Sequence, residues 1–263
     1  MKTKNIPVIT RRTTFITLAL SMLLTPAVLR ADENDDRIDA AAKSTYVFKT
    51  FLVEDSVTTK TKDGITTLSG SVKEADHKQL AQDTVAGLPG VKSVDNQIEI
   101  KETPEKYSDT WLYLKVKNTL AFHRSVSALK TTVVLKEAVV TLTGEASSEA
   151  QKELTAEYAS DVEGVKAVRN EMTVSTQGEP EPLSLSVMID DASISAQVRA
   201  ALFTHRSTSA FQTSVLTSNG IVTVGGIAKN EAEKNLVTKL VSDIHGVKSV
   251  VNNMIIKPIT AAN

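Results

Sequence analysis

Three stretches of this chain repeat one another at fixed spacing, which restricts it to a row of small domains. Thr67-Leu68-Ser69-Gly70, Thr141-Leu142-Thr143-Gly144 and Thr223-Val224-Gly225-Gly226 each precede a Gly-Val-Lys-x-Val-x-Asn run. Those runs begin 20 residues after the closing glycine, at Gly90, Gly164 and Gly246. The first and second copies are offset by 74 residues and the second and third by 82, whichever landmark is taken. Constant offsets mark tandem units rather than one large core. At about 65–70 residues each, such units lie near the lower size at which a domain folds unaided. The 263 residues include no cysteine, so disulfides and thiolate metal sites are excluded.

Equivalent positions can be compared directly. Ile38, Leu112 and Ile194 coincide, as do Ala42, Val116 and Val198, then Tyr46, Leu120 and Leu202. Steps of four in a polar stretch predict an amphipathic helix, with Asp35, Asp109 and Asp191 as its N-caps. Two β-rich runs follow, Ser56–Thr61 and Ile65–Gly70 in the first unit, joined by Lys62-Asp63-Gly64 or Ser218-Asn219-Gly220. Asp-Gly and Asn-Gly suit a tight hairpin; Lys136-Glu137-Ala138 is a poorer turn, and a different hairpin tip is expected in unit two. A second helix, anchored by Leu80, Leu154 and Leu236, stops at Gly90, Gly164 and Gly246. The last run alternates apolar and polar residues through Asn96, Asn170 and Asn252, as a half-buried strand does. Asn is disfavoured in strands, and a side-chain hydrogen bond to nearby loop backbone accounts for it better than a ligand.

The fold class is therefore α+β: three tandem α-β-β-α-β units, each with two helices on one face of a three-stranded sheet. The units are placed at 35–101, 108–175 and 190–257. Residues 176–189, with Gly178, Pro180 and Pro182, read as a flexible linker that gives unit three arm-like freedom.

Lys2, Lys4, Arg11 and Arg12 precede an apolar run from Phe15 to Leu24, then Pro26 and a cleavage point after Ala31. This reads as a signal peptide over 1–31 and a periplasmic destination, with no transmembrane segment in the mature chain. Removing it takes away five basic residues and leaves 25 basic against 31 acidic, which disfavours nucleic acid as a partner. Unit three carries seven basic and five acidic residues, and suits an anionic surface best.

The strand end at Gly70, Gly144 and Gly226, the second helix, and Gly-Val-x-x-Val-x-Asn leading into an apolar strand together resemble the BON-domain family. The resemblance spans almost all of the mature chain. It implies an α-β-β-α-β fold, a cell-envelope location, no catalytic machinery, and association with phospholipid surfaces or envelope partners. The usual arrangement in that family has two copies, so a third is a departure.

Chemistry has little to stand on. Neither a phosphate-cradling glycine loop nor an HExxH is present, and four histidines show no metal-ligand spacing. No catalytic residue, cofactor or metal is expected. One polar motif recurs: His123-Arg124-Ser125 and His205-Arg206-Ser207, where unit one has Lys49-Thr50-Phe51. It reads as a helix end whose cations complement the dipole, as a weak anion contact, or as a serine nucleophile with an adjacent base.

Unit two departs from the pattern within its first helix. Trp111 and Tyr113 stand where unit one has Arg37 and Asp39 and unit three has Ser193 and Ser195, positions expected to face solvent. Leu114 replaces Ala40 and Ala196, with Lys115 and Lys117 beside it. Aromatic rings next to lysines suit a membrane interface; packing between repeats is the other reading. The candidate binding residues are thus Trp111, Tyr113, Leu114, Lys115, Lys117, His123, Arg124, His205 and Arg206. The expected function is non-enzymatic peripheral association with anionic phospholipid or envelope proteins under osmotic or envelope stress. A chaperone-like or protein-interaction scaffold is the alternative.

Overall fold

The structure, a computed structural model, describes residues 27–101, 104–175, 189–208 and 213–256. The expected signal peptide up to residue 26 and the linker over 176–188 lie outside the described residues. Unit one comprises α1 (Ala27–Ser44), α2 (Tyr46–Thr50), β1 (Ser56–Lys62), β2 (Ile65–Val72), α3 (Ala75–Ala86), β3 (Ser93–Asn96) and β4 (Glu99–Ile100). Unit two comprises α4 (Asp109–Phe122), β5 (Thr131–Lys136), β6 (Val139–Ala146), α5 (Glu149–Ser160), β7 (Ala167–Asn170) and β8 (Thr173–Val174). Unit three comprises α6 (Asp191–Thr204), β9 (Thr213–Ser218), β10 (Ile221–Ala228), α7 (Glu231–Ser242), β11 (Ser249–Asn252) and β12 (Ile255–Ile256).

In every unit the second strand is central. It pairs antiparallel with the first strand of its hairpin, and parallel with the run that returns after the second helix. That last run is one strand in two pieces, both paired to the central strand. The break falls at the recurring Asn. Asn96 Oδ1 accepts from Ile98 N at 3.2 Å while its Nδ2 donates to Lys78 O of α3 at 3.1 Å. Asn170 and Asn252 do the same with Met172 and Lys152, and with Met254 and Lys234. The amide thus pins strand to helix and turns Ile98, Met172 and Met254 into the core. Its partner is helix backbone rather than a loop.

The recurring Asp also has a different task from the expected cap. Ser108 and Asp190 cap α4 and α6, and α1 begins well before Asp35. Each recurring carboxylate instead accepts two backbone N–H groups from its hairpin turn: Asp35 from Asp63 and Gly64, Asp109 from Glu137 and Ala138, Asp191 from Asn219 and Gly220. These bonds hold the Asp109 carboxyl below its ordinary range. The clamp explains why unit two keeps the same turn despite its poorer residues: Glu137 and Ala138 both take positive φ, at 56° and 64°, beside 54° and 80° for Asp63 and Gly64.

Helix one of unit one breaks at Thr45, whose hydroxyl caps α2. The break shifts the register, so Val47 fills the core place expected of Tyr46, which is half-buried. It also turns two N–H groups outward. Tyr46 N donates to Asp190 Oδ2 at 2.8 Å and Val47 N to Ser193 Oγ at 3.1 Å, both in unit three. Helix α3 lies along α6, so closely that a Cβ on Gly87 would come within 3.1 Å of the Ala192 methyl. Unit three is therefore docked, not a free arm. Ser193, expected at the surface, is buried with Gln197 under the neighbouring unit, and Ser195, also expected there, is buried against Thr217 of its own hairpin.

Non-glycine residues in the left-handed region are strained by roughly 1–2 kcal/mol each. Grafting the unit-three turn onto unit two, Glu137→Asn with Ala138→Gly, is expected to raise unfolding stability by about 1 kcal/mol. Chemical denaturation measures it; no change would show that the Asp109 clamp already removes the strain.

Candidate functional site

Helix α4 starts from Ser108, whose Oγ accepts from Trp111 N at 3.2 Å. The Trp111 ring is half-buried, edge-on to Tyr107 at 5.3 Å, with Lys115 Nζ 5.1 Å from its centroid. Lys115 is only 7% exposed. Its ammonium pairs with Asp76 at the start of α3, and Asn118 beside it donates to Glu74 Oε2 at 3.1 Å. The ring of Phe203, from α6, lies 6.0 Å away. Lys115 thus sits where all three units meet, with the Trp111 ring beside it. Outside this junction, Tyr107 is exposed with Lys106 Nζ 4.6 Å from its ring centre, and exposed Lys117 lies 5.7 Å from the ring of Tyr113.

Tyr113 has a packing role that comparison of the copies exposes. Asp39 Oδ1 accepts from Thr61 Oγ1 at 2.7 Å, and Ser195 Oγ donates to Thr217 Oγ1 at 2.7 Å. The corresponding pair in unit two is Tyr113 and Leu135, both half-buried against the core. An apolar pair has replaced a hydrogen-bonded one. Leu114 is half-buried on the same helix.

The His-Arg-Ser motifs come together in a reciprocal exchange between units two and three. His123 bridges to Ile244 and His205 to Val162. Arg124 N donates to Asp243 O at 2.9 Å, and Arg206 N to Asp161 O at 3.0 Å. Arg124 Nη1 reaches Val247 O at 3.1 Å, while Arg206 Nη2 reaches Val162 O and Val165 O at 3.0 and 3.1 Å. Each motif therefore cups the end of the other unit's second helix, where unsatisfied carbonyls await cations.

One half of the exchange carries more. The His123 ring, 2% exposed, stacks on Tyr158 with centroids 3.8 Å apart. Tyr158 OH donates to Asp243 Oδ2 at 2.6 Å, Ser125 Oγ donates to Asp243 Oδ1, and His123 Nδ1 lies 3.4 Å from the same carboxylate. Burial works to raise the Asp243 carboxyl, but His123 and the two hydroxyls together hold it below its ordinary value. Burial, then the bond to Asp243, pushes the Tyr158 phenol far up, so it stays a donor. In the other half His205 Nε2 lies 3.3 Å from Asp161 Oδ2. Neither serine hydroxyl is bonded to the adjacent histidine: Ser125 donates to the Asp243 carboxylate, and at Ser207 it is the backbone N–H that reaches His205 Nδ1, at 3.1 Å. Unit one, outside the exchange, places Phe51 against Phe122 at 5.3 Å instead. Among the described residues no three His, Asp or Glu gather within metal-binding range. None of the described helices is long and apolar enough to cross a membrane.

The BON-domain profile matches residues 34–102, 108–176 and 190–258. The chain belongs to the BON-domain family. It is similar to osmotically-inducible protein Y of Escherichia coli, 28% identical over 146 residues, which is 56% of this chain and 71% of that one. It is also similar to the outer membrane lipoprotein DolP of Haemophilus influenzae, 26% identical over 174 residues, 65% of this chain and 86% of that one. Among solved structures, CdsD, a structural protein of the type III secretion system of Chlamydia trachomatis, aligns over 84% of this chain and 94% of its own, at 17% identity and a TM-score of 0.25.

Asp243 joins BON units two and three, so Asp243→Ala is expected to destabilise the protein by about 3 kcal/mol, the range for removing one partner of a buried charged network. Its depressed carboxyl contributes stability that is fully present above the ordinary carboxylate range and is lost as pH falls through the native value. Denaturant midpoints followed from neutral to acid pH should converge for wild type and variant. Parallel curves would place the acid sensitivity elsewhere.

Proposed function

We propose that this BON protein is a non-enzymatic periplasmic binding protein that associates peripherally with anionic phospholipid and supports the envelope under osmotic stress. The observation that carries this reading is the run of ring–ammonium pairs at the start of unit two: Lys106 with Tyr107, Lys115 with Trp111, and Lys117 with Tyr113. An aromatic ring at headgroup depth beside an ammonium meets both layers of a lipid surface. Lys106, Tyr107 and Lys117 are exposed and make first contact, and Trp111 follows at the half-buried edge. Lys115 is paired with Asp76, so it orients the ring rather than meeting phosphate. The N-terminal targeting pattern and the osmotically-inducible and outer-membrane relatives support the location and the stress role.

Contact through a few exposed lysines on a chain of net negative charge is weak and screened by salt. The mature protein is expected to float with phosphatidylglycerol vesicles at low ionic strength, not with phosphatidylcholine vesicles, and to be released by added salt. Trp111→Ala and the surface variant Lys106→Glu/Lys117→Glu should each weaken flotation several-fold. Wild type that stays unbound, or variants that float equally well, would overturn the reading.

A further inference from the structure

The outer faces of the three sheets are not alike. Residues 60, 65, 71, 95 and 99 face away from the helices in unit one, and are Lys60, Ile65, Ser71, Asp95 and Glu99. In unit two the equivalents are Val134, Val139, Glu145, Arg169 and Thr173. In unit three all five are apolar: Leu216, Ile221, Ile227, Val251 and Ile255. They are 70, 44, 38, 45 and 65% exposed. The register makes them one surface, because Leu216 and Val251 flank Thr223, and Ile255 pairs with Ile227.

The strands that carry this face, Thr213–Ser218, Ile221–Ala228, Ser249–Asn252 and Ile255–Ile256, contain no charged residue. Sheets whose faces meet water ordinarily carry charged side chains there, as units one and two do; the polar groups on the unit-three face are the neutral Ser214, Ser218, Thr223 and Ser249. Of the five acidic residues of unit three, Asp190, Glu231, Glu233 and Asp243 lie at helix ends, and Asp191 is held by the backbone N–H groups of the hairpin turn at Asn219 and Gly220. The exposed charges next to the strand ends in sequence are basic: Lys229 follows β10, and Lys248 precedes β11 at the other end. An apolar patch rimmed in this way marks an interaction surface.

We propose that the sheet face of unit three is a second membrane-contact surface, which lays Leu216, Ile221, Ile227, Val251 and Ile255 against the headgroup–acyl boundary of an anionic lipid layer. Charge decides the occupant. Two copies stacked face to face in opposite directions would bring Lys229 of one beside Lys248 of the other, whereas a lipid layer offers phosphate to both ends at once. The inference takes the identity of the partner from the lipid reading above, but the surface is separate from α4 and is carried by different residues.

The test uses the full mature chain and phosphatidylglycerol vesicles. Leu216→Thr/Ile255→Thr keeps strand-forming residues at exposed positions, and is expected to lower partitioning about ten-fold, the scale set by removing two aliphatic contacts. Leu216→Trp in a Trp111→Phe background should show blue-shifted emission on binding and quenching by brominated acyl chains. Wild type that binds while the threonine variant binds equally, with indole emission of the Leu216→Trp variant left unquenched, overturns this surface and leaves the α4 reading standing. Wild type that binds no vesicle brings down both. Self-association without vesicles that Leu216→Thr abolishes makes the occupant a second copy, which also overturns the proposal.

Discussion

Helix α6 is buried nearly all round, and one small sheet can cover only one side of a helix. Ala192, Ser193, Ile194, Ser195, Ala196, Gln197 and Val198 form an unbroken buried run. The sheet of unit three takes the Ile194–Val198–Leu202 stripe, and α3 of unit one, with α4 of unit two, covers much of the rest. Small side chains at 192, 193 and 196 are what let neighbouring helices approach. Each unit alone is near the limit of independent stability, and this shared helix joins the three cores into one cluster.

Much of a single unit is legible in the sequence, because a unit is governed by local rules. The stripe through Leu112, Val116 and Leu120 is the core face of α4, and the alternation along the hairpins is the burial pattern of their strands. The recurring Asp is a harder case: Ser or Asp one place upstream is an equally good cap, so sequence alone does not show that the second carboxylate is needed by a turn 28 residues away. The second burial surface of α6 is illegible to periodicity, which reports only what a helix's own sheet covers. Ser193 and Gln197 are polar, and polar residues opposite a core stripe look solvated until another unit covers them.

The candidate site was readable in part. Recurrence of His-Arg-Ser in units two and three, and its loss in unit one, was a signal for a contact between those two units. A motif that only two of three copies keep is one that those two share. At Tyr113 the useful clue was paired change: Asp39 with Thr61 and Ser195 with Thr217 are bonded, and the third pair changed at both places together to Tyr113 and Leu135. Trp111 had no such partner change, and the setting of its neighbour Lys115 among residues from three units needed the tertiary arrangement.

The helix break at Thr45 has a consequence for how the molecule is assembled in time. Tyr46 and Val47 offer N–H groups whose acceptors, Asp190 and Ser193, lie 144 and 146 residues further along. As the chain is delivered from its N-terminus, unit one can complete its own sheet but not its seam with unit three. Contacts of such long sequence separation form slowly and late. The seam therefore closes only on a chain whose third unit has arrived, so unit one meets its final neighbour after the intervening unit has been made.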